Sequence, residues 1–312
     1  MKKLFLIAAA LCICLIAGAQ NLTKGSAFNP KKGDFSFGVA YNPMSEFASY
    51  QPEIKGFAGE FIKGLAEYPH ELYFLGVDPK VNFTFRYHLT DNWAARATLG
   101  FSGSKVNYKE YVQDDVSFKQ DPTTTNKEVD CVHGMLRGVA LSAVAEYHKS
   151  FGHLAFVGGV GLQFASGGGT MTFEYGNKFS DENKTPTTMP YCQFDADATK
   201  RGILNQYNGT DIDKVTYARP LERYNVGYCT AISLIGDMGI EYFFVGQMSI
   251  TAAVTFAPLT YYKQPQTYAK FEGWHTVDNE VVTFNALVSP GSSAIFYGTQ
   301  NFGIRFGFHY YL

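Results

Sequence analysis

Six charged residues lie where the surrounding sequence alternates apolar and polar side chains, and all six fall on the polar side. They are Arg86, Arg96 and Arg305 against Glu146, Asp237 and Glu241. Three positive and three negative groups cancel. On one enclosed face they would interleave as ion pairs. Such a network can serve either as neutralised filling or as a relay for protons or ions, because buried charges often carry function. Filling is the expected role, with the six residues packing a polar interior.

The other chemistry-bearing residues are sparse. His88, His148 and His309 fall on the same polar faces near strand ends. No pair of them stands two or four residues apart, so they read as polar rim residues rather than metal ligands. His133 lies near Asp130 and His275 near Asp278, but no serine or second acid is placed to complete a catalytic set. Metal motifs, phosphate-cradling loops and nucleophile elbows are absent from the sequence, and Gly167-Gly168-Gly169 is followed by no helical pattern, so it reads as a loop breaker. The expectation is therefore no enzyme, no cofactor and no metal.

The elements that must hold these residues are strands. Aromatic residues make up 16% of the chain, with 27 Phe and 21 Tyr, while charged residues reach only 17% against a usual ~25%. A net charge of −2 gives no electrostatic footprint for a nucleic-acid partner. Lys2 and Lys3, the apolar run Leu4–Ile16 and the small residues Ala17-Gly18-Ala19 form a secretory signal peptide over 1–19, too short to span a membrane. Residues 20–33 read as a periplasmic leader. Of the cysteines beyond the signal, Cys131 and Cys229 fall on segments that are not neighbours, so any disulfide is expected to join Cys192 to one of them; three unpaired thiols are the alternative.

From residue 34 onward, period-2 alternation dominates. Eight segments show it: 34–42, 80–89, 93–102, 137–148, 154–165, 230–243, 247–257 and 297–312. In the second, Val81, Phe83, Phe85, Tyr87 and Leu89 oppose Asn82, Thr84, Arg86 and His88. In the last, Phe302, Ile304, Phe306, Phe308, Tyr310 and Leu312 oppose Gly303, Arg305, Gly307 and His309. All 12 prolines fall outside these segments. Connections alternate short and long: 90–92, 149–153 and 244–246 are brief, whereas 43–79, 103–136, 166–229 and 258–296 are extended. Tyr87, Trp93, Tyr147, Phe151, Tyr242 and Tyr310 gather at the short-turn ends. Tyr41, Phe101, Phe164 and Phe256 gather at the long-loop ends. Two aromatic belts around an aliphatic middle match a bilayer rather than the inward apolar face of a soluble sandwich or lipocalin-like barrel.

This pattern resembles the small eight-stranded outer-membrane β-barrel proteins, such as the OmpA-type barrel domain. The resemblance runs from Asp34 to Leu312. Its most specific piece is the last strand, where Phe306, Phe308, Tyr310 and Leu312 look like the family's C-terminal assembly signal, with Leu312 in place of the usual aromatic residue. The fold class expected is all-β, an eight-stranded antiparallel transmembrane barrel over 34–312, in the outer membrane of a Gram-negative bacterium. The long loops contain strand-like runs at 172–175, 281–284 and 294–297, read as strands continuing above the membrane, and a short helix is expected over 57–68. The expected function is a non-enzymatic anchor or accessory subunit, set in outer-membrane lipid and meeting a protein partner through its loops. The alternative is a narrow pore for ions or small solutes.

Overall fold

The computed structural model describes residues 29–43, 80–189, 214–289, 291–299 and 302–312. The expected signal peptide over 1–19, the helix expected over 57–68 and Cys192 lie outside the described residues. Eleven strands form one antiparallel sheet: β1 Phe35–Tyr41, β2 Val81–His88, β3 Trp93–Gln113, β4 Lys127–Phe151, β5 Leu154–Glu174, β6 Val215–Val245, β7 Met248–Gln264, β8 Thr267–His275, β9 Glu280–Ser289, β10 Ser292–Tyr297 and β11 Phe302–Tyr311. One short helix, α1 Asp115–Gln120, sits at the tip of the β3–β4 hairpin.

Eight of these strands close a ring in the order β1-β2-β3-β4-β5-β6-β7-β11, and β11 returns to pair with β1 from Ser36↔Tyr311 to Tyr41↔Phe306. Closure leaves the ring of eight without a free edge, which lipid would require, and the end strands of the sheet order, β9 and β10, lie in the extension. Side chains alternate outward and inward along each strand. Phe83, Phe85, Leu141, Val160, Leu162, Ile232, Ile240, Ile250, Val254 and Phe306 are exposed on the outside, while Asn82, Thr84, Arg86, Thr98, Ser142, Gln163, Ser233 and Thr251 are buried inside. An apolar exterior around a polar interior defines a transmembrane barrel. Met248 departs from its neighbours: alternation sets it on the outward side, yet it is buried at the turn end.

Two of the short turns are two-residue hairpins whose first residue is a glycine at positive φ, Gly152 (65°) and Gly246 (43°). The positive φ suits the tight reversal that matches strand twist. Residues 32 and 33 lie at this turn side, where Gly33 N–H donates to the His88 carbonyl at 2.8 Å and Lys32 N–H donates to Asp91 at 2.9 Å.

The strands run far beyond the segments read from alternation. β3, β4, β5 and β6 hold 21, 25, 21 and 31 residues, whereas a tilted span needs about ten. The excess rises from the long-loop side. β8 pairs with the start of β6, β9 pairs with β8, and β10 pairs with the end of β7. The runs 172–175, 281–284 and 294–297 therefore belong to strands or directly extend one.

One reading is corrected by this lengthening, and another gains a detail: the prolines still lie outside the eight segments, but two enter the lengthened strands. Pro220 and Pro258 lie inside β6 and β7, at or beside register shifts where a ladder loses a hydrogen bond anyway. The run Gly167–Gly169 is no loop breaker. It pairs in register with Gly138, Arg137 and Leu136 of β4, and it shifts register against β6.

The extended part has its own core. Val112, Val132, Met171, Phe173, Tyr175 and Met189 pack together with Ala140, Ala165, Ala231, Cys229 and Tyr262, residues from the upper barrel interior. A second cluster, Val215, Ala218, Ala269, Phe271 and Phe284, joins β6, β8 and β9.

Candidate functional site: a bridged lumen beneath a folded extracellular sheet

Strand geometry delivers the six charged residues to one enclosed space. Arg86 comes from β2, Arg96 from β3, Glu146 from β4, Asp237 and Glu241 from β6, and Arg305 from β11. Each points inward by alternation, and all are at most 3% exposed. Arg86 Nε donates to Glu146 Oε2 at 2.7 Å, and its Nη1 reaches both Glu241 oxygens at 3.1 and 3.2 Å. Arg96 Nε lies 3.0 Å from Glu146 Oε1, and its Nη2 donates to Asp237. Arg305 Nη2 donates to Asp237 Oδ2 at 2.9 Å and stands 4.0 Å from Glu146 Oε1.

These contacts cross the lumen. In the ring of eight, β2 lies opposite β6 and β4 opposite β11. The Arg86–Glu241 and Glu146–Arg305 contacts therefore span the diameter, in a barrel just wide enough for side chains to fill. Further hydroxyls join the network. The Arg86 guanidinium donates to Tyr311 Oη at 2.7 Å, that hydroxyl donates to Glu241 Oε1 at 3.0 Å, and Ser249 also donates to Glu241. Neither Tyr311 nor Ser249 is among the six charged residues, although Ser249 falls on the polar face of its segment. Tyr311 was legible, because it follows His309 by two residues and so shares its inward face.

The three histidines are not rim residues. His88, His148 and His309 are 0%, 2% and 3% exposed. His88 and His148 stack edge to face with centroids 4.9 Å apart, and His148 Nε2 lies 3.4 Å from Glu146 Oε2. A barrel this narrow buries its inward residues to the last turn, so position near a strand end did not mean exposure.

Above the network the lumen turns apolar. Ala140, Ala165, Ala231, Cys229 and Tyr262 are buried there, and Tyr262 Oη donates to the Cys229 sulfur at 3.1 Å. Cys131 stands higher on β4, and burial pushes its thiol up from the ordinary range. No bridge joins Cys131 to Cys229; the pairing expected with Cys192 falls outside the described residues.

Outside the membrane, the segment 175–189 is pinned across the strand extensions. Asp130, fully buried, accepts N–H bonds from Gly176 at 3.0 Å and Met189 at 2.9 Å. Desolvation raises its carboxyl above the usual range despite these donors. Asp115 accepts from Asn183 at 2.9 Å and from Thr187 N–H at 2.7 Å, and Asn177 donates to the carbonyls of Gln113 and Thr187. Arg219 completes the clamp. Its guanidinium lies 4.0 Å from the Tyr175 ring centre and 4.6 Å from that of Phe179, with Nε donating to Glu272 at 2.7 Å and Nη1 to the Asn177 carbonyl at 2.9 Å.

The two histidine–acid pairs separate here. Asp130 and His133 are three apart on one strand, so they face opposite sides; His133 meets Asn107 and Glu174 instead. His275 Nδ1 and Asp278 Oδ2 do meet, at 2.9 Å across the β8–β9 turn, where Asp278 N–H also approaches the ring at 3.4 Å. That arrangement closes a turn. Among the described residues no three metal-binding side chains converge.

Closed ring, apolar exterior and charged interior together define a small eight-stranded transmembrane β-barrel with a folded extension on its long-loop side. No family model matches the chain, and no curated protein matches it. Among solved structures it is similar to the outer membrane protein OprG from Pseudomonas aeruginosa, at 12% identity over 90% of this chain and 97% of that one, with a TM-score of 0.28. It is similar also to Ail, the attachment invasion locus protein of Yersinia pestis, at 7% identity over 90% and 99%, again with a TM-score of 0.28. At these scores the fold rests on the closed strand order, not on the likeness.

Proposed function

We propose that the chain is a non-enzymatic outer-membrane barrel of a Gram-negative bacterium. It acts as an anchor or accessory subunit that presents its extracellular sheet to a protein partner. The observation that carries this reading is the pairing of a bridged lumen with a folded extension. Ion pairs cross the diameter below, an apolar cluster fills the interior above, and β3 to β7 continue outward into a hydrogen-bonded surface. Structure of this extent outside the bilayer suits protein contact, and its exposed apolar residues, Tyr111, Val116, Phe118 and Val129, gather at the β3–β4 tip. Gentle detergent extraction of tagged chain from native membranes tests it. A stoichiometric partner lost when the 103–136 hairpin is shortened supports the reading; purification of the chain alone from every growth condition counts against it.

A second reading, a narrow pore, draws on one observation. Arg86 Nη2, both His88 nitrogens, Arg305 Nη1 and Asp237 Oδ1 are buried without a protein hydrogen-bond partner, and buried polar atoms of this kind are usually satisfied by water. The diametric ion pairs oppose a continuous path through it. Conductance measurements separate the two readings.

A further inference from the structure

On the extracellular part, outside the lumen, a cavity of about 600 Å³ opens between β3, β4, the 175–189 segment and the β6–β8–β9 strands. Its size falls in the range of small-ligand sites. The wall is mixed: Val129, Leu221 and Val281 stand with the Phe179 ring, and Lys109, Glu174, Lys178, Arg219 and Glu272 supply the charged part. Its charges divide unevenly. Arg219 is already committed to Glu272 and to the Asn177 carbonyl. Glu174 adds one carboxylate to the wall, 3.4 Å from the His133 ring, so with Arg219 and Glu272 cancelling the two lysines leave the wall positive by one charge. Two lysines remain. Lys109 reaches the cavity from the outward face of β3, and Lys178 reaches it from the pinned segment, with its Nζ donating to the Tyr175 carbonyl at 2.7 Å. Among the described residues neither ammonium pairs with a carboxylate.

We infer that this cavity binds a small organic anion with an apolar body. Lys109 and Lys178 take the anionic group, and Val129, Leu221, Val281 and the Phe179 ring take the body. The site is built rather than incidental. The residues that shape it are held by the buried Arg219 stack and by the Asp130 and Asp115 clamps, so the wall is fixed before a ligand arrives, which lowers the ordering cost of binding. An ammonium–oxyanion contact beside apolar walls is stronger than the same contact in open water.

The test uses the full chain in nanodiscs and three probes, phenylacetate, phenyl phosphate and neutral 2-phenylethanol, followed by ligand-observed NMR. The expected result is saturable binding of phenylacetate or phenyl phosphate, weakened at least ten-fold in the Lys109→Gln/Lys178→Gln double variant and abolished by Val129→Trp, which fills the cavity. The alcohol binds wild type and double variant alike. Lys109 and Lys178 are exposed side chains, so the double variant keeps the barrel, and unchanged strand content by circular dichroism checks this. Two results overturn the inference: neither anion saturates the wild-type chain, or the anions bind all three proteins equally, which marks partition into lipid.

Discussion

The same strands build two opposite interiors. In the lower half of β3, Trp93 and Phe101 face out while Arg96 and Thr98 face in. Beyond residue 105 the assignment inverts: Lys105, Asn107 and Lys109 are exposed outward, and Val106, Tyr108 and Val112 turn toward the core. β5 does the same. Phe156, Val160, Leu162 and Phe164 are exposed outside below, whereas Met171 and Phe173 are buried inside above, with Thr172 and Glu174 outward. Alternation is continuous through the switch; only the solvent of the outer face changes. The level at which apolar residues cross from outside to inside therefore marks the upper boundary of the bilayer, near residues 103–105 of β3 and 165–170 of β5.

This contrast can be broken at its most costly point first. Glu146 lies against Arg86 and Arg96 in the lumen, and removing it leaves guanidinium charge buried without its partner. Glu146→Ala should destabilise the barrel by about 3–5 kcal/mol, read by denaturant titration of chain folded into vesicles. In the upper core, Phe173→Ala should cost about 3 kcal/mol through lost burial and the cavity left behind. That loss should appear as protease sensitivity of 175–189 while the spanning strands stay protected.

The outward face gives the sharpest contrast, because both sites sit on β5. Leu162→Arg sets a charge in hydrocarbon and should cost about 2 kcal/mol, depending on depth. Thr172→Arg on the same face above the switch should change stability by less than about 0.5 kcal/mol. Equal costs at the two positions would erase the boundary.

The smallest effect concerns α1. Asp114 caps it, accepting N–H bonds from Val116 and Ser117, and the Ser117 hydroxyl holds its carboxyl below the ordinary value. A lowered folded value means the stabilisation is present above the unfolded carboxyl range and is lost as pH falls through the folded value. Amide protection in α1 should drop in acid in the wild type, and Asp114→Ala should flatten that dependence.

The barrel was legible because its outward residues form an aromatic and aliphatic set that a soluble strand would not show to water. Parity places Arg86, Arg96, Glu146, Asp237, Glu241 and Arg305 on the inward face from spacing alone. The extension was harder to read. Its alternation is that of an ordinary half-buried strand, so 103–113 and 127–136 looked like loop once the apolar face had changed sides. Gly167–Gly169 reads as a loop breaker for the same reason: it sits at a register shift against β6, a tertiary feature with no local signature. The clamps at Asp115, Asp130 and Arg219 join residues roughly 40 to 70 positions apart, and no spacing rule announces them.

The proposed anchor role requires a sealed lumen. Single-channel recording of purified chain in a planar bilayer tests that most directly. The prediction is no conductance steps at neutral pH, with steps appearing only in the double variant Glu146→Ala/Glu241→Ala, which removes the acid from both diametric pairs. Steady, ohmic conductance from the wild-type chain would contradict it.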